Sequence, residues 1–109
     1  MKKMVVVMAA VLALPMFAAA EDWSNVAMID TQCSAKANPD AHTKACGLAC
    51  AKSGFGIVDK DGNYLKFDAK GNQEAKSLLE GSSKQDHIRV NVSGKKEGNV
   101  IQVRSLKMM

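Results

Sequence analysis

The chain predicts a mostly β domain with short helices, closed as a small five-stranded barrel. Three observations carry that expectation. Five short stretches have the alternating or doubly apolar pattern of strands. A helical stretch with a small apolar stripe lies between the third and the fourth. A second helical stretch follows the first strand, in the segment that holds all three cysteines of the chain.

Before any of these comes an export segment. Met1-Lys2-Lys3 is a positive start, Met4 to Phe17 is apolar apart from Pro15, and Ala18-Ala19-Ala20 offers the small residues a leader peptidase reads. Cleavage is expected before Glu21, which makes residues 1–20 a signal peptide and 21–109 a single domain. The apolar run is shorter than the ~20 residues a membrane span needs, and Glu21-Asp22 follows at once. With no cysteine near the cut, a lipid-modified terminus is excluded. The expected location is periplasmic or secreted, with no membrane span left after cleavage.

Removing twenty of the 109 residues leaves 89, and losing Lys2 and Lys3 leaves thirteen basic residues against eleven acidic ones, a net charge of +2. The basic residues are scattered, Lys95-Lys96 being the only adjacent pair, and Trp23, Phe55, Tyr64 and Phe67 are the only aromatics among them. Nucleic-acid binding wants clustered charge with interleaved aromatics, so no nucleic acid is expected as a partner. A domain this small buries a modest core and is marginal unless a disulfide or a metal helps it.

The first strand reads from Trp23 to Asp30, with two apolar faces, Val26/Met28 and Ala27/Ile29. Pro39-Asp40 then opens a helix that runs to Lys52 and stops at Ser53-Gly54. "FGIVDK-DG-NYLKFD" reads as two strands around an Asp-Gly turn. Asp59, Asp61 and Asn63 share the opening spacing of a calcium loop. The reading fails because Gly62 stands two places early and Lys70 occupies the position of the bidentate glutamate. "KGNQEAKSLLEGSS" is a short helix with Asn72 as its N-cap, an apolar stripe of Ala75, Leu78 and Leu79, and Gly81 as its stop, suited to plug a barrel. Two strands finish the chain. In the first, Ile88, Val90 and Val92 point inward. In the second, Ile101 and Val103 share a face, and "GKKEGN" joins the pair.

Strand, helical insert, two strands, helix, two strands is the order of an OB-fold barrel. On "W…MIDTQC" entering the insert, "C…C…G" leaving it, "GIVDKDGNYLKF" and "IRVNVSG…GNVIQVRSL", the chain resembles small secreted bacterial OB-fold proteins that carry a cysteine-bearing insert after strand one. The likeness spans nearly all of residues 23–106. It implies an OB-fold-like binding or stability module with no established reaction.

The chemistry concentrates in that insert, residues 33–53. On a regular helix His42, Cys46 and Cys50, at i, i+4 and i+8, form one stripe spanning roughly 80°. Cys33 lies upstream and could fold over them. Two readings stay open. Helical i,i+4 pairs stand about 5–6 Å apart, too far for a disulfide, so Cys33 would bridge to Cys46 or Cys50 and leave a spare thiol. Such a bridge closes a loop of 13 or 17 residues, worth about 3 kcal/mol. Alternatively Cys33, His42, Cys46 and Cys50 form a four-ligand set for Cu(I) or zinc. The disulfide is favoured, with no cofactor.

Enzymatic chemistry is not expected. C-x₃-C is not the redox C-x-x-C, and Ala51 stands where a haem-ligating histidine would follow Cys50. A hydrolase built on Cys46 and His42 lacks a third orienting residue. His87, beside Asp86, reads as a surface residue. Arg89, Asn91, Gln102 and Arg104 are candidates for a polar ligand-binding strand face, although a solvated face is the simpler account. The expected function is a non-enzymatic exported module for a small ligand or a protein partner, with soft-metal binding as the alternative.

Overall fold

The computed structural model describes residues 20–34 and 39–109; the signal peptide expected over 1–20 lies outside them, Ala20 excepted. Its first strand, β1, runs Glu21–Asp30. Val26 to Asp30 are all buried, as a doubly apolar pattern requires. Val26 and Met28 join the main core, and the turn Pro39–Ala41 packs against the strand. The strand begins two residues before the expected Trp23, and its pairing with the fourth strand is interrupted between Trp23 and Val26. Asn25 sits there at φ 52° and donates its backbone N–H to Asn91 Oδ1 at 2.8 Å.

β2 (Phe55–Val58) and β3 (Tyr64–Phe67) form the expected hairpin, pairing Val58 with Tyr64. The connection is five residues, not the two of an Asp-Gly turn. Asp59 widens it, since its Oδ1 accepts from the backbone N–H groups of both Asp61 and Asn63, at 2.9 and 2.8 Å. Gly56 in β2 permits a close approach of the strands: a Cβ there would lie 2.3 Å from the Leu65 carbonyl oxygen.

β4 (Arg89–Glu97) is displaced toward the C-terminus relative to the expected stretch, beginning after Ile88, and β5 (Val100–Met108) extends two residues beyond Leu106. Glu97 pairs with Val100, so the turn is Gly98-Asn99 alone and most of "GKKEGN" belongs to the strands. Val90, Val92, Ile101 and Val103 point inward as expected and are all at most 4% exposed.

The strands close into a barrel in the order β1-β2-β3-β5-β4. Every neighbouring pair is antiparallel except β3 with β5, which run parallel. Closure leaves no unpaired sheet edge.

Two helices complete the described residues. The short α1 (Lys44–Ala49) lies between β1 and β2, and α2 (Ala69–Gly81) between β3 and β4. Along α2, Ala75 and Leu79 enter the barrel core and the helix rests on β5, β2 and β3. Its N-cap is Asp68, whose Oδ1 accepts from Gly71 N–H at 3.0 Å, and not the expected Asn72. Asn72 lies inside the first turns, where its Oδ1 accepts from Phe55 N–H at 2.8 Å and ties α2 to β2. No helix among the described residues is long and apolar enough to cross a membrane.

Candidate functional site

At the end of β1, strand alternation places Asp30 on the same face as Val26 and Met28. Asp30 is the one buried charged residue among the described residues, fully shielded from solvent. A carboxylate there must be matched by hydrogen-bond donors. The next residues supply one. The chain turns into a 3₁₀ segment, Thr31–Cys33, capped by Asp30, whose Oδ2 accepts from Cys33 N–H at 3.1 Å. The second donor comes from twelve residues on: His42 Nε2 donates to Asp30 Oδ1 at 2.6 Å, and the His42 side chain is 12% exposed.

His42 reaches Asp30 because it is not helical. α1 begins only at Lys44, with Thr43 as its N-cap in extended conformation (φ −93°, ψ 158°) and the Thr43 hydroxyl accepting from Cys46 N–H. Ahead of it, Pro39–Ala41 forms a separate 3₁₀ turn. Distant partners pin both sides of the histidine. Asp40 O accepts from His87 N–H at 2.9 Å, and Lys44 N–H donates to Gln85 O at 2.8 Å. The Asp40 carboxylate receives Arg89 in bidentate fashion, Nε to Oδ1 at 3.1 Å and Nη2 to Oδ2 at 2.8 Å. That guanidinium holds the Asp40 carboxyl below its ordinary value of 3.8, and the carboxylate raises Arg89 in turn.

Beside the cluster, Thr31 Oγ1 donates to Tyr64 Oη at 2.9 Å, and Tyr64 Oη donates to Ile29 O at 3.3 Å. Burial pushes the Tyr64 phenol up to about 12, outweighing the hydrogen bond from Thr31. Thr31 and Tyr64 thereby anchor the 3₁₀ segment that carries Cys33.

The result is a carboxylate, a thiol and an imidazole whose ligating atoms all lie within 4.8 Å of one another. Cys33 is half-buried. Such a group can do one of two things: hold a metal, or activate the thiol as a nucleophile. The second use commonly needs the nucleophile's own backbone N–H for the developing oxyanion. Here that N–H is committed to Asp30 Oδ2.

Several sequence expectations are corrected. The helix predicted from Pro39 to Lys52 is a 3₁₀ turn, six residues of α1 and a second 3₁₀ turn, Ala51–Ser53, so the stripe of His42, Cys46 and Cys50 does not form. Cys46 is exposed on α1 and Cys50 is its C-cap. No disulfide joins Cys33 to Cys46 or Cys50, which are not close to it. The four-ligand set does not converge either: of its members only Cys33 and His42 meet, and Asp30 joins them. Asp30 was missed. Its signal was present in "VAMID", an acid that follows directly on the apolar run 26–29 and shares the face of Val26 and Met28.

The proposed polar face is not one surface. Arg89 is engaged by Asp40 and also donates to Asn25 O at 2.7 Å. Asn91 accepts from Asn25 and lines an open groove with Trp23, Ser93, Ser105 and Lys107. Gln102 donates to Glu97, at the far end of the hairpin from Asn91, and Arg104 is exposed. His87 is a surface residue, as expected, with its ring against Asp86 at 3.0 Å.

No protein-family model matches the chain, and no curated protein or solved structure is significantly similar to it.

Proposed function

We propose that the chain is an exported, non-enzymatic binding module of the OB-fold type, released outside the cytoplasm by cleavage before Glu21. One observation carries the fold part of the proposal. The closed five-stranded barrel of order β1-β2-β3-β5-β4, with a parallel β3–β5 pair and α2 between β3 and β4, supports the OB-fold reading. A non-catalytic role is supported by the commitment of the Cys33 backbone N–H to Asp30, which removes it from oxyanion binding. Cell fractionation combined with intact-mass measurement tests the export reading. The expected product is residues 21–109 in the periplasm or the medium; an uncleaved chain in the cytoplasm would refute it.

A second reading concerns what is bound: a metal ion. The convergence of Asp30, Cys33 and His42 favours it. Equilibrium dialysis of the reduced protein against Zn²⁺ and Cu(I) tests it. Retention of about one equivalent is expected, because one cluster offers one centre. Retention of neither ion would end the metal reading and leave the export reading standing.

A further inference from the structure

We infer that Asp30, Cys33 and His42 form a three-ligand Zn²⁺ site with its fourth position open to water or an incoming donor, and that Cys46 and Cys50 take no part in it. This inference rests on the metal reading above and specifies its ligands.

The donor set selects the ion. Three thiolates and an imidazole would suit Cu(I) equally well, whereas one carboxylate oxygen, one thiolate and one imidazole nitrogen are a borderline set of the kind zinc accepts. The geometry is close to what zinc needs. Around a tetrahedral zinc, neighbouring N, O and S donors stand about 3.3–3.6 Å apart. The atoms here lie within 4.8 Å of one another, and the His42–Asp30 contact is 2.6 Å. Contraction about the sulfur and a small opening of the His42–Asp30 pair, each on the order of 1 Å, would bring the three onto the ion.

The frame suits such a site. Asp30 ends a barrel strand, Cys33 follows on a turn that Asp30 itself caps, and His42 is pinned on both sides by the segment from Gln85 to Arg89. Asp30 is fully buried and Cys33 half-buried, so the cluster lies at the edge of the interior. Three protein ligands with one exchangeable position is the arrangement of zinc centres that engage a further molecule, as opposed to closed four-ligand structural sites. Binding sends the Cys33 thiol proton to solvent and moves the His42 ring proton from Nε2, where it faces Asp30, to Nδ1, so that Nε2 offers its lone pair to the ion. Cys46, exposed on α1, and Cys50, at its end, are not close to Cys33.

Co²⁺, which takes zinc's geometry and reports a thiolate ligand through charge-transfer absorption, provides the test. Titrated into the purified, reduced protein, it should bind one to one with that absorption present, and Zn²⁺ should displace it. Loss of outer-sphere partners already weakens metal sites 10–100-fold, so Cys33→Ser and His42→Ala should each weaken binding at least about 100-fold, and Cys33→Ser should also abolish the band. The double variant Cys46→Ser/Cys50→Ser should stay within about threefold of the parent, since neither residue is a ligand or an outer-sphere partner. Cys33→Ser conserves shape at a half-exposed position, so it remains informative if His42→Ala folds poorly. A band that survives Cys33→Ser, or vanishes in the double variant, would overturn the ligand assignment while leaving metal binding intact. Failure of the parent protein to bind either ion would overturn the assignment together with the metal reading.

Discussion

Replacing His42 by alanine strips the buried Asp30 carboxylate of one of the two hydrogen-bond donors described for it, the other being Cys33 N–H. The carboxylate is fully shielded and His42 is 12% exposed, so solvent cannot substitute freely for the lost ring. Breaking a buried pair by removing one partner costs about 3–5 kcal/mol. The Cys33 N–H still donates to Oδ2 at 3.1 Å, which places the expected loss at the low end, about 3 kcal/mol. For a domain of this size each kcal/mol moves the midpoint roughly 4–8 °C, so Tm should fall by about 12–24 °C. The assay is thermal and urea unfolding in the presence of a chelator, so that only the hydrogen-bonded pair is read. Asp30→Ala should be costly too, through the orphaned Cys33 N–H and His42. The double variant should cost less than the sum of the singles by at least about 1 kcal/mol, because the two share one interaction. An effect of His42→Ala below about 0.5 kcal/mol, or strict additivity, would show that the pair behaves as a surface contact and refute the reasoning.

Four other measurements probe the frame around the site. Gly56→Ala should destabilise by about 1–3 kcal/mol in urea unfolding, since its Cβ would meet the Leu65 carbonyl oxygen at 2.3 Å and the Tyr64 ring at 2.7 Å. Gly81→Ala, at the end of α2 with nothing within 4 Å, should stabilise by about 0.4–1 kcal/mol. Alkaline absorbance titration of the single tyrosine should give a pKa of about 12 in the folded protein. A phenol whose pKa is raised by folding contributes stability below its unfolded value near 10, lost as pH rises through about 12, so urea midpoints should decline across that window. For Asp40 the sign reverses: its pKa is lowered, so the Arg89 pair stabilises above 3.8 and fades as pH falls below it. Arg89→Met should therefore cost up to about 1 kcal/mol more near neutrality than in strong acid, the side chains being part-exposed, with the bond to Asn25 O lost at either pH.

The barrel was legible in the residues because its cause is local and periodic. Alternating Ile88, Val90 and Val92 can lie on only one face of a strand, and the two apolar faces of "VAMI" demand cover on both sides. Five such stretches with a helix after the third sufficed for a mostly β barrel. Turn lengths were less legible, since Asp59 had the option of accepting from Asp61 and Asn63 and took it, opening a two-residue turn into five. A similar choice settled α2, where Asp68 and Asn72 are both good caps and only the position of β2, whose Phe55 N–H needs an acceptor, gave Asn72 its other task.

The site depended most on contacts between distant parts of the chain. From Pro39 to Lys52 the residues favour one continuous helix, which would have aligned His42 with Cys46 and Cys50. Asp40 instead holds Arg89, forty-nine residues away, while Lys44 pairs with Gln85. Those bonds, with Thr43 as cap, keep His42 out of the helix and swing the imidazole to Asp30. Helix propensity amounts to a few tenths of a kcal/mol per residue, whereas a buried carboxylate left without donors costs several. Composition and pattern pointed to the segment that holds Cys33, His42, Cys46 and Cys50, without separating the first two from the last two. That the third partner of Cys33 and His42 is a strand aspartate, and neither helix cysteine, follows from the closed barrel. Closure buries Asp30, and its need for donors then outweighs the helical preference of the segment around His42.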